Sequence, residues 1–194
     1  MPRLFFGVPV PPATRATLEA VRSAWCVADP SWLSEKWVAP PNLHLTLQFV
    51  GEVPARHVEG LLASAREALR AGRAFDFVVD ILAVVPPRRR ASMLWAVPRD
   101  GSPGSASVAA QLRGCLPEHL AAPSERPFSA HVTLCRARRP HLVSSAAREI
   151  GATVLASAEL RSRSMSVSAV TLYESRLSPS GPAYTPLEEI PLGG

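Results

Sequence analysis

Apolar residues alternate with polar ones in some stretches and recur at helical spacing in others. The run Leu4 to Val10 is apolar and β-prone and is closed by Pro11-Pro12, which predicts a first strand. From Ala13 to about Val27, Leu18, Val21 and Trp25 fall on one helical face. A loop-rich stretch bracketed by Asp29-Pro30 and Pro40-Pro41 holds Trp32 and Trp37, and NLHLTLQFVGEVP then gives the cleanest strand pattern in the chain. A second helix is expected from about Ala55 to Gly72, with Val58, Leu61, Leu62, Ala65 and Leu69 on one side and Gly72 as its stop. Strands are expected near Phe75–Val85 and Met93–Val97 around PPRRRA, followed by a turn-rich loop from Pro98 to Ser105. The pattern then repeats: a helix at about Ala106–Cys115, a Pro-bearing loop, the strand AHVTLCR and a helix near His141–Ile150. Strands near Ala158–Met165 and Val167–Arg176 follow, then the turn Ser178-Pro179-Ser180-Gly181-Pro182 and a last short strand. Uneven alternation with hairpin-like strand pairs predicts an α+β fold with mainly antiparallel sheets.

Two of these strands carry the same polar pair. In Leu43-His44-Leu45-Thr46-Leu47-Gln48-Phe49, alternation sends Leu43, Leu45, Leu47 and Phe49 to the core and puts His44 and Thr46 together on the other face. In Ala130-His131-Val132-Thr133-Leu134-Cys135, Val132 and Leu134 go inward while His131 and Thr133 face outward. One His-x-Thr triplet is a weak signal, because such a triplet arises by chance in many chains. Two copies, 87 positions apart in similar surroundings, are not, and His57, His119 and His141 lack the pattern. Each strand presents an imidazole and a hydroxyl side by side where the core makes no claim on them.

Composition narrows the setting. With 194 residues, 47% hydrophobic and 19% charged, the chain is long enough for a real core and too apolar for general disorder. No apolar run nears the roughly 18 residues of a membrane span, and Pro breaks the N-terminal apolar patch before a signal segment forms. Cys26, Cys115 and Cys135 are odd in number and lack C-x-x-C spacing, which speaks against a disulfide framework or a zinc site and fits a reducing cytoplasm. A net charge of +5, with Lys36 the sole lysine among 21 basic residues, favours anionic partners such as RNA, nucleotides or phosphorylated metabolites. No Gly-rich dinucleotide or Walker pattern is present, and no acidic cluster accompanies the histidines as metal ligands would.

With both motifs in view, the sequence resembles the 2H phosphoesterases, and within them the RNA 2′,3′-cyclic phosphodiesterases historically called 2′-5′ RNA ligases. The resemblance runs through RLFFGVPVP, KWVAPPNLHLTLQFVGEV, PPRRRASMLWAV, FSAHVTLCRAR and VTLYESRLSPSGPAYTPL, nearly the whole chain; Ala130 stands where a Pro is common. It implies one domain over 1–194, bilobal and duplicated, with two mainly antiparallel sheets and outer helices flanking a central cleft, each lobe giving one His-x-Thr strand. It implies His44 as proton donor to a leaving 3′ oxygen and His131 as proton acceptor from water, although the residues alone leave the pair symmetric. Thr46 and Thr133 would donate hydrogen bonds to the phosphate, and Arg136 would contact phosphate or substrate, provided that the strand ends or bulges before it.

The implied enzyme is a monomer without cofactor or metal, acting in the cytoplasm on RNA or oligonucleotides with a 2′,3′-cyclic phosphate end, with no membrane association and no obligate protein partner. The alternatives are 2′-5′ RNA ligation, the reverse chemistry, and non-catalytic RNA capture, which has no use for two imidazoles. Arg138 and Arg139 are candidates to line an RNA path, while the Arg88-Arg89-Arg90 run reads as a solvated loop. Trp37, Trp95 and Tyr173 are expected in packing roles, and Cys135 as a bystander.

Overall fold

Two antiparallel sheets and flanking helices form the computed structural model, which describes residues 1–87, 90–117, 120, 127–178 and 181–193, the side chains of 177 and 178 excepted. Arg88 and Arg89 of the basic run, His119, and Pro179-Ser180 of the expected turn lie outside the described residues. The strands are β1 (Arg3–Pro9), β2 (Lys36–Trp37), β3 (His44–Glu52), β4 (Phe75–Val78), β5 (Ile81–Val85), β6 (Ala91–Val97), β7 (Val132–His141), β8 (Ser164–Val167), β9 (Ala169–Ser178) and β10 (Gly181–Pro191). The helices are α1 (Pro12–Ala28), α2 (Ala55–Leu69), α3 (Pro103–Cys115) and α4 (Ser145–Ser157). Among the described residues the large sheet runs β10-β9-β1-β3-β7-β6-β5, with β2 pairing with β7 beside it, and β4 pairs with β8 in a separate ribbon. All pairings are antiparallel. The α+β class follows.

The helices pack in two pairs, α1 against α4 and α2 against α3. Proline opens α1, where a missing N–H costs nothing. One face of α1 buries Leu18, Val21, Trp25 and Cys26, and each fully buried large apolar side chain contributes about 1.5–3 kcal/mol. Trp25 meets the buried Trp32 edge-on at 5.8 Å. On the other pair, α2 buries Leu61, Leu62, Ala65 and Leu69, and its Arg66 holds Glu188 of β10 through two 2.7 Å hydrogen bonds. The start of α4 is fixed by Ser144, whose hydroxyl accepts from the Ala147 amide at 3.1 Å, a cap worth about 1 kcal/mol.

Several boundaries differ from the sequence expectation, each for a local reason. The single strand expected over Phe75–Val85 is divided at Val79-Asp80, because Arg163 binds Asp80 Oδ1 at 2.7 Å and its carbonyl accepts from the Val79 amide. Its two parts join different sheets. His141 belongs to β7, where Ala91 pairs with it, and the helix expected from His141 starts at the Ser144 cap. Ala158 ends α4, and a 3-10 turn at Leu160–Ser162 precedes the short β8. The last strand is not short, since β10 pairs with β9 from Gly181 to Pro191. α2 stops at Leu69, before Gly72.

Among the described residues, the large sheet consists of two halves whose strands β3 and β7 meet at one pairing, Leu45 with Val132. β1 supports β3 on one side of this seam, as β6 supports β7 on the other. Gly7 of β1 lies opposite Thr46, and a Cβ there would sit 2.9 Å from the Leu45 carbonyl oxygen and 3.2 Å from the Phe5 ring. Gly7→Ala should therefore push β1 off β3 and cost about 1–3 kcal/mol in urea unfolding. Gly60→Ala, in open space on α2, should instead stabilise by about 0.5–1 kcal/mol. Equal stability of the two variants would contradict this packing.

Candidate active site

The seam brings the two His-x-Thr segments together. Because Leu45 pairs with Val132 in antiparallel sense, the residues flanking them meet crosswise, His44 beside Thr133 and Thr46 beside His131. Leu45 and Val132 are fully buried beneath, so the four polar side chains share the opposite face around a local two-fold. The histidines take the diagonal, a separation of about 7–8 Å in a regular antiparallel pair. His131 is close enough for its charge to depress the pKa of His44.

Both imidazoles are held the same way. His44 Nδ1 bonds the Asn42 carbonyl at 2.7 Å, and His131 Nδ1 bonds the Ser129 carbonyl at 2.8 Å, each two residues back along its own chain. A carbonyl only accepts, so each Nδ1 carries the hydrogen. The neutral ring then has a bare lone pair at Nε2, and the charged ring has an N–H there. Each histidine is thus oriented to take or give a proton through Nε2 alone. Thr46 and Thr133 are half-buried on the same face, with no hydroxyl partner among the described residues.

One irregularity, present twice, completes the site. Between Leu94 and Trp95 of β6 the partner jumps from Cys135 to Thr133, leaving Leu134 as an extra residue in β7. Between Phe6 and Gly7 of β1 the partner jumps from Gln48 to Thr46, leaving Leu47 extra in β3. The leucine after each threonine is therefore a bulge, and both leucines are buried. The bulge in β7 buries Leu134 and Cys135 in succession and turns Arg136 outward, onto the face of His131 and Thr133. That is the condition on which Arg136 was expected to reach the site. The bulge in β3 corrects another expectation: Phe49 is not a core residue but 63% exposed, and Val50 is buried in its place. Phe49 and Arg136 occupy the same position, five residues after their histidines.

Electrostatics place Arg136 at the centre. Its charge lowers the pKa of His44, His131 and Tyr184 alike, although burial leaves Tyr184 raised on balance. Burial is the largest cause holding both histidines below their ordinary value, opposed by the Asn42 and Ser129 carbonyls, and for His44 the neighbouring His131 adds to the depression. The Arg136 side chain donates to Met93 Sδ at 3.4 Å. Cys135, fully buried on the core face, has its thiol pushed up to about 12, mainly by desolvation. It takes no part, as its lack of a paired base indicates.

The aromatic surroundings of the two histidines differ, and here sequence reading missed most. Trp95, expected in packing, stacks flat on His131 with ring centroids 3.8 Å apart and planes 17° apart. His44 lies against Phe5 at 4.9 Å and the edge of Tyr184 at 5.0 Å. Phe5 also touches Phe49 and stacks on Tyr173. The alternation of Met93, Trp95 and Val97 around the buried Leu94 and Ala96 was the available signal for Trp95. Trp37 does pack as expected: its Nε1 donates to the Trp32 carbonyl at 2.8 Å.

Comparison with known proteins finds relatives along most of the chain. An RNA 2′,3′-cyclic phosphodiesterase of Methanothermobacter thermautotrophicus is 28% identical over 188 residues, covering 96% of each chain. One from Aquifex aeolicus is 26% identical over 165 residues, 82% of each. The structure of E. coli LigT complexed with phosphate superposes with a TM-score of 0.73 at 26% identity, over 100% of this chain and 98% of that one. The family model described as the 2′-5′ RNA ligase superfamily matches residues 9–178, and the chain belongs to that superfamily, the 2H phosphoesterases.

Proposed function

We propose that this protein hydrolyses the 2′,3′-cyclic phosphate at the end of an RNA or nucleotide to a 2′-phosphate, using two histidines and no metal. The observation that carries this reading is the matched pair of Nδ1–carbonyl bonds, which aim two Nε2 atoms from one face of one sheet. Two oriented imidazoles are what cyclic phosphate opening requires: one base for water and one acid for the departing sugar oxygen. Relatives named RNA 2′,3′-cyclic phosphodiesterase give the substrate class. All the groups involved come from one chain, so the proposed chemistry needs no second copy. The shared bulge and matched histidines support a single domain over 1–194 built from two pseudo-symmetric lobes.

In this mechanism His131 Nε2 removes a proton from water as the water oxygen attacks phosphorus. The bond from phosphorus to O3′ breaks, and His44 Nε2–H gives its proton to O3′. Thr46 and Thr133 donate to the non-bridging oxygens as their charge rises, and Arg136 offsets that charge. Burial first, and the same cation after it, hold both histidines low in the free enzyme; an arriving phosphate anion raises them, which restores His44 as an acid. The direction of proton flow follows the family resemblance. Phe49, exposed and in contact with the Phe5 ring that lies against His44, offers a flat apolar surface to the terminal base.

Incubation with a 2′,3′-cyclic nucleotide in EDTA should yield the 2′-monophosphate; exclusive 3′-phosphate would overturn the direction, and dependence on added metal the mechanism. His44→Ala and His131→Ala should each lower kcat by roughly 10²–10⁴, and near wild-type turnover of both would refute the assignment. The kcat/KM profile should be bell-shaped with its optimum below the ordinary histidine value of about 6.5, whereas that of kcat should lie at higher pH. The indole face under His131 favours its charged form, so Trp95→Leu should lower the His131 pKa. Since the base must be deprotonated, the acidic limb of kcat/KM should move to lower pH while the basic limb stays. Movement of the basic limb alone would exchange the two roles.

A further inference from the structure

The Arg136 side chain does little to hold its own place. Among the described residues its guanidinium makes one hydrogen bond, to Met93 Sδ, so its position is set by the backbone that carries it. That backbone is paired on both sides at Arg136, with Lys36 of β2 and with Met93 of β6. Beyond it the ladder breaks. From Met93 to Ala91 β6 moves two residues, while β7 moves five, from Arg136 to His141. Residues 137–140 are therefore surplus to the ladder, and their backbone groups need partners from elsewhere. Pro140 has no amide hydrogen to place. The Arg138 amide has one, and a side chain takes it: the Glu35 carboxylate.

Glu35 is itself tightly fixed. Its amide donates to the carbonyl of the fully buried Trp32 at 3.2 Å, and its carbonyl accepts from the Trp37 amide at 2.9 Å. Its side chain is only 8% exposed and uses both oxygens. Oε2 accepts the Arg138 amide, and Oε1 meets His141 Nε2 at 2.7 Å. The His141 ring in turn lies against Trp32, with centroids 5.1 Å apart. Burial pushes the Glu35 carboxyl up, but the Arg138 amide and His141 outweigh it and bring it below its ordinary value. At neutral pH it is an anion, and a sheltered anion is costly to leave without its partners. Lys36 thus pairs with Arg136, while the residue before it grips the surplus segment at Arg138 and at its end, His141. We propose that Glu35 is a positioning residue for Arg136: its two bonds close the β7 bulge, and the closed bulge keeps the Arg136 guanidinium beside His44 and His131. This rests on the proposed role of Arg136 at the phosphate and adds a group that acts through it without touching substrate.

The test reads the two histidines in the free protein, where no substrate is needed. The Arg136 charge lowers both pKa values, so Arg136→Gln should raise both in an NMR titration. Glu35→Ala should raise both as well. That sign is diagnostic, because loss of an anion would by itself lower them. The double variant Glu35→Ala/Arg136→Gln should show no rise beyond that of Arg136→Gln, since the two residues act in series. Glu35→Asp keeps the charge but is one methylene short of spanning both partners. It should give a smaller rise of the same sign, and it decides the matter if Glu35→Ala does not fold. With 2′,3′-cyclic AMP, Arg136→Gln should lower kcat/KM roughly 10²-fold, Glu35→Ala by less, and the double variant no further than Arg136→Gln. The proposal is overturned if the folded Glu35 variant loses thermal stability but leaves both histidine pKa values unchanged, or if it lowers them. A double variant in which the two effects add in full overturns it too. If the wild type leaves cyclic AMP intact while the pKa pattern holds, the proposed function fails and the positioning role stands.

Discussion

The antiparallel contact between Leu45 and Val132 is the constraint on which the site depends. These two buried residues are the only described point where the halves of the large sheet join through β3 and β7. Their direction of pairing decides that each histidine stands beside the other strand's threonine. A slip of one residue in either strand would send that strand's histidine into the core and a leucine or valine onto the open face. The apolar residues alternating with His44 and His131 therefore do more than fill the interior. They fix the register that puts the two imidazoles on one face of the sheet.

Much of this was legible in the sequence because strand periodicity is a local property. The alternation in NLHLTLQF and AHVTLC is enough to put each histidine on a face with its threonine. The absence of that pattern around His57 and His141 is enough to set them apart. What escaped is non-local. Phe49 was placed in the core by extending the same alternation past Leu47, where a bulge breaks it; a bulge is defined by the partner strand and leaves no mark in the strand's own pattern. The same irregularity at Leu134 decided that Arg136 belongs to the site. Trp95 was misread because its role depends on pairing with Thr133, more than thirty residues away. The division of the Phe75–Val85 segment likewise depends on Arg163, a distant cation.

Matching backbone geometry with unlike side chains gives the site both its symmetry and its polarity. The repeated elements, a carbonyl on Nδ1 and a bulged leucine after the threonine, make the two histidines chemically alike. The side chains five residues later, Phe49 and Arg136, make their surroundings unlike. One imidazole sits among Phe5 and Tyr184, the other on Trp95. Burial and Arg136 hold both below their ordinary pKa, so an empty site resists holding two positive imidazoles beside a guanidinium. In the proposed mechanism an anion between them reverses that balance, which would link proton uptake to substrate binding.

That linkage gives the most direct test of the claim that His44 and His131 act on a single phosphate. NMR titration of the two imidazoles, assigned through the single alanine variants, would follow each ring with and without saturating 2′-AMP. Both pKa values should start below the ordinary histidine range and rise together on binding. A nucleotide that binds tightly but moves only one of the two, or neither, would contradict a shared phosphate site.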